Sequence, residues 1–320
     1  MPYRILFLGT SAGMPTLNRN LPGILIEWDS DLILFDCGEG IQLRFIEYRI
    51  GMGRPLRVFI SHMHGDHILG LPGLLQTFSL LDRKTPVEVY GPSRLGEYIH
   101  CLRDTIGLNT TYDLKIFKVE DNVYYDFGAY RILCRRVQHG GESYGYRFEE
   151  KDRPGLFYPD KAIALGIPKG PLWKKLQLGE SIKLNDGRII KPSDVLGPPR
   201  RGFKLAYTGD TVPCRAIEEL AEGVDILIHE ATFTEDLADK AMAERHSTAA
   251  QAAYIALRSS VKLLVLTHIS ARYVTSDILL DEARRIHPNV VVAEDGLTIE
   301  ISRTEEDYEY RVIPRMHIDT

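Results

Sequence analysis

Cysteine is scarce in this chain and never clustered: Cys37, Cys101, Cys134 and Cys214 are the four that occur, and no Cys-x-x-Cys pair is among them. That spacing excludes the dense disulfide framework of small secreted domains and suits thiols kept reduced, so a cytoplasmic location is expected. Long apolar runs are missing too; none approaches the roughly 20 residues that span a bilayer. The opening Met1-Pro2-Tyr3-Arg4 starts no signal-peptide pattern, and a soluble protein is expected. Positive charge is not in excess, with 39 Lys and Arg against 44 Asp and Glu and a formal net charge of −5. A chain with that balance can grip a polyanion only through a local concentration of basic residues. No short-period repeat is visible. What remains is a chain of 320 residues, 44% apolar and 26% charged, able to bury a substantial core as one large domain or two ordinary ones.

Short β-like runs fill the first half: 3–8, 24–28, 32–35, 57–60, 87–90 and 114–119, each rich in branched or aromatic residues and closed by Gly, Pro or Asp. Helical spacing appears at 41–50, 68–81 and 95–106. Strands are expected again at 130–137, 143–148, 204–208, 225–229 and 262–267, with helices near 214–222, 249–258 and 276–287 and terminal strands to Ser302. This alternation predicts an α/β protein with two sheets covered by helices. Between Lys151 and Arg201 the periodicity fades. Eleven Lys and Arg stand there against five Asp and Glu, so the segment carries +6 and the remainder −11. It reads either as a solvated insertion or as an arm that contacts a phosphate backbone.

The strongest chemical signal is Ser61-His62-Met63-His64-Gly65-Asp66-His67, between an apolar strand and an apolar helix. His62 and His64, two apart on an extended segment, project to one side, and Asp66 and His67 follow at the helix start. Gly65 is expected to allow a sharp backbone turn between the two pairs. Imidazoles and a carboxylate at this density suit zinc or another borderline divalent ion. His139, Asp210 and His268 each close a predicted strand, and they supply what a pair of ions needs beyond the first cluster, since a shared carboxylate holds two metals about 3.5–4 Å apart.

His-x-His-x-Asp-His, a distant His, Thr208-Gly209-Asp210 and a late His together resemble the metallo-β-lactamase superfamily. That resemblance implies a four-layer αβ/βα sandwich with two mainly mixed β-sheets, here with a protruding basic arm. It also implies one zinc on His62, His64 and His139, a second on Asp66, His67 and His268, and Asp210 between them; manganese or another divalent ion suits the same ligands. Further motifs, 7–15, 35–40, 62–73, His229-Glu230-Ala231-Thr232-Phe233, His246-Ser247-Thr248 and 267–273, are similar to the ribonuclease Z family over nearly the whole chain. The expected organisation is a single domain over 1–305, with 151–201 inserted as a flexible tRNA-binding arm and 306–320 as a C-terminal tail. Lys169, Gly170, Pro171, Lys174 and Lys175 resemble the Gly-Pro motif of that family's arm. One motif departs: Leu17 in Pro15-Thr16-Leu17-Asn18-Arg19-Asn20 occupies a lysine position in the loop that bears on the CCA end.

The resemblance implies a homodimer that cleaves the 3′ trailer from precursor tRNA, leaving a 3′-hydroxyl on the tRNA and a 5′-phosphate on the trailer. The helix 41–50 and the 68–81 region are the expected dimer surface because of their apolar content. Asp66 is expected to ligate metal and accept the nucleophile's proton, and His246, just before a capping box at Thr248–Gln251, to protonate the leaving oxygen. Either Glu230 or Glu244 is placed to orient His246. Arg272 is expected to contact phosphate through its guanidinium. His229 reads as a core histidine. The competing readings are a small-molecule phosphodiesterase of the same fold and a non-catalytic RNA-binding module, and fold alone does not separate them.

Overall fold

The computed structural model describes residues 3–305 and 307–315. The branched and aromatic runs assemble into two large sheets. The first orders its strands as Tyr308–Ile313, Thr298–Arg303, Tyr3–Gly9, Gly23–Trp28, Asp31–Phe35, Leu56–Phe59, Val87–Gly91 and Leu114–Lys118. The second runs Val290–Val292, Leu263–Thr267, Ile226–Glu230, Lys204–Tyr207, Tyr144–Glu150, Tyr130–Arg136 and Val123–Asp126. Both are mixed. Hairpins such as Gly23–Trp28 against Asp31–Phe35 are antiparallel, whereas Leu56–Phe59 and Val87–Gly91 continue that sheet in parallel. In the second sheet Lys204–Tyr207, Ile226–Glu230 and Leu263–Thr267 are parallel neighbours.

Three apolar layers account for the sandwich. One outer core packs Leu74, Leu75 and Phe78 of helix Gly70–Leu80 and Ile41 and Phe45 of helix Ile41–Glu47 against Leu34, Val58 and Val89 of the first sheet. Helices Arg215–Ala221, Ala249–Arg258 and Asp277–Arg284 cover the second sheet with Ile217, Ala252, Ala256 and Leu279. Between the sheets lies an aromatic layer, in which Phe35 stacks on Tyr146 and Tyr207 at 5.7 and 5.5 Å between ring centroids. Such pairs add specific geometry to a large buried area. The parallel strands all deliver their C-terminal ends to one rim, where open α/β sheets place their ligands.

The chain divides into two compact units: Met1–Glu149 with Lys204–Ser302 and Tyr310–Thr320, and Glu150–Phe203 with Arg303–Glu309. The second unit contains the basic segment, and it is folded. Helices Pro159–Ala164, Pro171–Gln177 and Pro192–Val195 and a hairpin of Ile182–Lys183 with Ile189–Ile190 enclose Ala162, Ile167, Leu176, Ile182, Ile190 and Val195. The expected tail, 306–320, lies partly outside the described residues, but Tyr308–Ile313 within it is an edge strand of the first sheet.

Gly70 shows why one small residue is needed beside the His62–His67 loop. A Cβ there would lie 1.8 Å from the Gly38 carbonyl oxygen, and the Gly70 N–H already donates to the Cys37 carbonyl at 3.0 Å. Gly70→Ala is expected to cost about 1–3 kcal/mol through overpacking, read as a lower denaturant midpoint. An unchanged midpoint would show that the 37–38 turn can move aside.

Candidate metal centre

Every predicted ligand sits just beyond a strand on the shared rim. Leu56–Phe59 leads to His62 and His64; Tyr130–Arg136 leads to His139; Lys204–Tyr207 leads to Asp210; Leu263–Thr267 leads to His268. His64 is still extended at φ −68° and ψ 149°, and a single helical turn, Gly65–Ile68, begins with the next residue and carries Asp66 and His67 inward. The backbone changes direction at Gly65, between the two pairs, without a positive φ. The helix start makes the turn, and the missing Cβ matters because it would lie 3.0 Å from the Leu69 side chain.

The structure brings the seven residues His62, His64, Asp66, His67, His139, Asp210 and His268 together. Asp210 is the hub. Its Oδ2 lies 3.2 Å from His67 Nε2, 3.3 Å from His268 Nε2, 3.7 Å from His62 Nε2 and 3.9 Å from His139 Nε2. On one side His64 Nδ1 stands 2.9 Å from His62 Nε2 and 3.1 Å from His139 Nε2. On the other, Asp66 Oδ2 is 3.4 Å from His67 Nε2 and 3.5 Å from His268 Nε2. His62, His64 and His139 can share one ion, as can Asp66, His67 and His268.

Divalent ions fit this donor set on a physical test. His67 Nε2, His268 Nε2 and Asp210 Oδ1 are buried and make no hydrogen bond among the described residues. Each unsatisfied buried polar atom costs about 1–3 kcal/mol, and a cation between the lone pairs removes that cost. Burial pushes His62 well below the usual histidine range, which keeps the neutral ring that a metal requires. Burial also opposes charge on Asp210, but facing His268 and His67 override it and hold the carboxylate ionised. His67 is pushed upward, since Asp210 and Asp36 outweigh burial; metal binding would displace that proton.

The partners that aim these rings were mostly not evident from spacing. Asp36 is fully buried at a left-handed φ of 57° and accepts from the Ser61 N–H and hydroxyl, His67 Nδ1 and the Tyr207 hydroxyl, at 2.7, 2.8, 2.8 and 2.6 Å. By holding Nδ1 it leaves His67 Nε2 for the metal, the usual device for fixing a ligand's tautomer. His139 Nδ1 uses the Arg245 carbonyl at 2.8 Å, and His268 Nδ1 the Thr232 hydroxyl at 2.9 Å. The Gly13 N–H reaches Asp66 Oδ2 at 3.0 Å. His229 is buried on Ile226–Glu230, where its Nδ1 meets the Glu230 carbonyl.

His246 stands beside the cluster, its ring centroid 4.8 Å from that of His139 and 5.4 Å from that of His268. Thr248 caps helix Ala249–Arg258 and exchanges bonds with Gln251, which fixes the backbone just past His246. Glu230, buried, lies 2.9 Å from His246 Nδ1, and its carboxylate also accepts from the Thr211 N–H and the Thr232 hydroxyl. Glu244 instead pairs with Lys240 on an exposed helix face. Burial opposes the charge on His246, yet Glu230 raises its pKa to about 9. Arg272 is exposed, with its guanidinium 4.7 Å from the Phe233 ring, which also borders His246. Leu17 is fully exposed.

Lys169, Gly170, Pro171, Lys174 and Lys175 lie in the second unit. Gly170 at φ 129° precedes Pro171 at the start of helix Pro171–Gln177; Leu176 faces the small core, while Lys174 and Lys175 face solvent. Lys169 Nζ is 5.8 Å from the Trp173 ring.

Comparison with known proteins covers this whole arrangement. A family model described as Anti-Pycsar protein Apyc1 matches residues 3–162, which include the first ligand cluster and His139. Ribonuclease Z of Trichodesmium erythraeum is 43% identical over 310 residues, spanning 95% of this chain and 97% of that protein. Ribonuclease Z of Methanosarcina acetivorans is 39% identical over 300 residues, 93% and 98% of the two chains. Among solved structures, the metallo-β-lactamase fold protein YhfI of Bacillus subtilis superposes with a TM-score of 0.67 at 18% identity, covering 94% of this chain and all of that one, a likeness of fold. The short form of human tRNase Z gives a TM-score of 0.66 at 26% identity, covering 92% of this chain and 98% of that one. The near-complete span of the curated relatives settles the kinship: this chain belongs to the ribonuclease Z family and has a metallo-β-lactamase fold.

Proposed function

We propose that this protein is a zinc-dependent endoribonuclease that removes the 3′ trailer from precursor tRNA. The observation that carries the reading is Asp210 Oδ2, which faces four imidazole nitrogens at 3.2–3.9 Å with the Glu230–His246 pair alongside. His62, His64 and His139 would hold one ion, Asp66, His67 and His268 the other, and Asp210 both; zinc suits these donors, and manganese is the alternative. Bound divalent ions supply Lewis acidity and neutralise the charge that a phosphodiester presents to an attacking water. Asp66 accepts that water's proton. His246, held protonated by Glu230, donates to the leaving 3′ oxygen, so the tRNA keeps a 3′-hydroxyl and the trailer a 5′-phosphate. Arg272 positions phosphate beside His246.

The test is cleavage of a 3′-extended precursor tRNA by zinc-loaded protein, with both new ends mapped. A single cut near the discriminator base, lost on chelation, supports the reading. Hydrolysis of bis(4-nitrophenyl) phosphate without RNA cleavage would favour a small-molecule phosphodiesterase.

The exposed Lys174 and Lys175 suit recognition of RNA by backbone and shape, and the protein works as a cytoplasmic homodimer in which one subunit's arm holds tRNA for the other's metal centre. Helices Ile41–Glu47 and Gly70–Leu80 expose Leu43, Ile46 and Leu80, apolar area that a second copy would cover. No helix among the described residues is long and apolar enough to cross a membrane. Subunits lacking residues 155–197, mixed with His246→Ala subunits, are expected to regain precursor cleavage that neither has alone. No recovery, with mixed dimers verified, would place arm and active site within one chain.

A further inference from the structure

A cavity of about 430 Å³ opens on the outer side of His139, lined by Arg136, Val137, Gln138, His139, Val212 and Arg245 among others. Two guanidinium groups therefore border a metal ligand. Arg135, one residue earlier, is ion-paired with Glu219 and Asp121. Arg136 and Arg245 form no ion pair within 4.0 Å among the described residues. Their guanidinium bonds go to main-chain carbonyls: Arg245 Nη1 donates to His139 O at 2.8 Å, and Arg136 Nη2 reaches Gly141 O at 3.5 Å. Each keeps donors to spare, because a guanidinium has five N–H groups in a planar fork. Two carboxylates lie nearby: Glu142, which feels the charge of Arg136, is engaged by the Ser93 N–H at 2.7 Å, and Asp121 Oδ1 accepts from the Arg136 backbone N–H at 2.8 Å.

Arg245 is also held in place. It occupies a left-handed φ of 61° at the end of helix Ala238–Glu244, a conformation unusual for a residue with a side chain. Its carbonyl accepts from His139 Nδ1 while its guanidinium donates to the His139 carbonyl, a reciprocal clamp. The guanidinium is thereby oriented at the cavity's edge before any ligand arrives. Its chain neighbour is His246.

Arginine is suited to phosphate because its fork matches two oxygens at once. Resting on the endoribonuclease reading, we propose that Arg136 and Arg245 form a phosphate subsite on the His139 side of the metal centre. It takes a phosphodiester of the substrate strand next to the one that is cut. Arg272 lies by Phe233 and His246, so the strand is held from both sides of the reacting phosphate.

The experiment scans a 3′-extended precursor tRNA with a neutral methylphosphonate at each of the linkages flanking the cut. In the unaltered enzyme one linkage is expected to raise KM about 10-fold, the scale of one charge-assisted contact. In Arg136→Ala, with all phosphates intact, KM should rise by the same factor, and neutralising that linkage should add nothing further. Arg136 is exposed, so folding should survive; Arg136→Gln and Arg245→Gln provide repeats if alanine is unstable. Additive effects of mutation and methylphosphonate at every linkage, with the unaltered enzyme active, would overturn the subsite alone. Failure of the unaltered enzyme to cut any precursor would overturn the endoribonuclease reading and the subsite with it.

Discussion

His246→Ala is expected to lower kcat on precursor tRNA by about 10²–10⁴-fold, the range for a positioned general acid, while metal content stays unchanged. The magnitude follows from how the imidazole is held. Glu230 is 1% exposed and binds His246 Nδ1 at 2.9 Å, so its charge acts through little water. The same carboxylate accepts from the Thr211 N–H at 2.8 Å and the Thr232 hydroxyl at 2.6 Å, which stop it from rotating away. Glu230→Gln keeps the shape and removes the charge. The sign of the pH effect is then fixed: Glu230 raises the His246 pKa toward about 9, so the protonated acid persists through neutrality and is lost on the alkaline side. Cations in the metal cluster pull the same pKa down, and Glu230→Gln pulls it further in that direction. The alkaline limb of kcat against pH should therefore move to lower pH in Glu230→Gln. A His246→Ala enzyme with undiminished kcat would falsify the acid assignment, and an unmoved limb would detach Glu230 from it.

The spacing of that acid from its partner explains what the sequence could and could not convey. His62, His64, Asp66 and His67 announce themselves because their spacing is local: two on an extended segment and two on the helical turn that follows. His139, Asp210 and His268 are legible as residues closing strands, since parallel strands bring such ends to a single rim. Glu230 and Glu244 lie 16 and 2 residues from His246, and spacing favours neither; the fold decides, setting Glu230 against His246 Nδ1 and Glu244 against Lys240. Asp36 carries no local signature beyond a strand end beside glycine, because its role depends on Ser61 and His67 of the histidine loop and Tyr207 of a distant strand arriving beside it. The basic segment hid its order for a different reason. Its helices Pro159–Ala164, Pro171–Gln177 and Pro192–Val195 are too short for an amphipathic period to emerge. Tyr308–Ile313 places Glu309 and Arg311 on one face of an edge strand, charges of the kind that guard edges against unwanted pairing.

Replacing Asp210 with alanine should have the larger consequence, because one oxygen serves both halves of the cluster. Its Oδ2 lies within 3.9 Å of four imidazole nitrogens, whereas Asp66 Oδ2 faces His67 and His268 on one side of the cluster. Without Asp210 the His62, His64 and His139 group keeps three neutral donors, a set that holds one zinc unaided, but the carboxylate that would keep two ions close together is lost. The protein should bind fewer ions per chain by elemental analysis, and cleavage should fall by 10³-fold or more, of the order of losing electrostatic stabilisation of the transition state. Stability supplies a readout independent of turnover. A ligand bound only by the folded state stabilises it by about 2.7 kcal/mol at 100 times its Kd, so chelation should lower the melting temperature of the unaltered protein by several degrees. Asp210→Ala should start from a lower melting temperature in metal and lose less on chelation, because part of that linkage is already gone. Full metal content in Asp210→Ala, or a chelation shift as large as in the unaltered protein, would mean that the two halves hold their ions separately and that the central carboxylate is not shared.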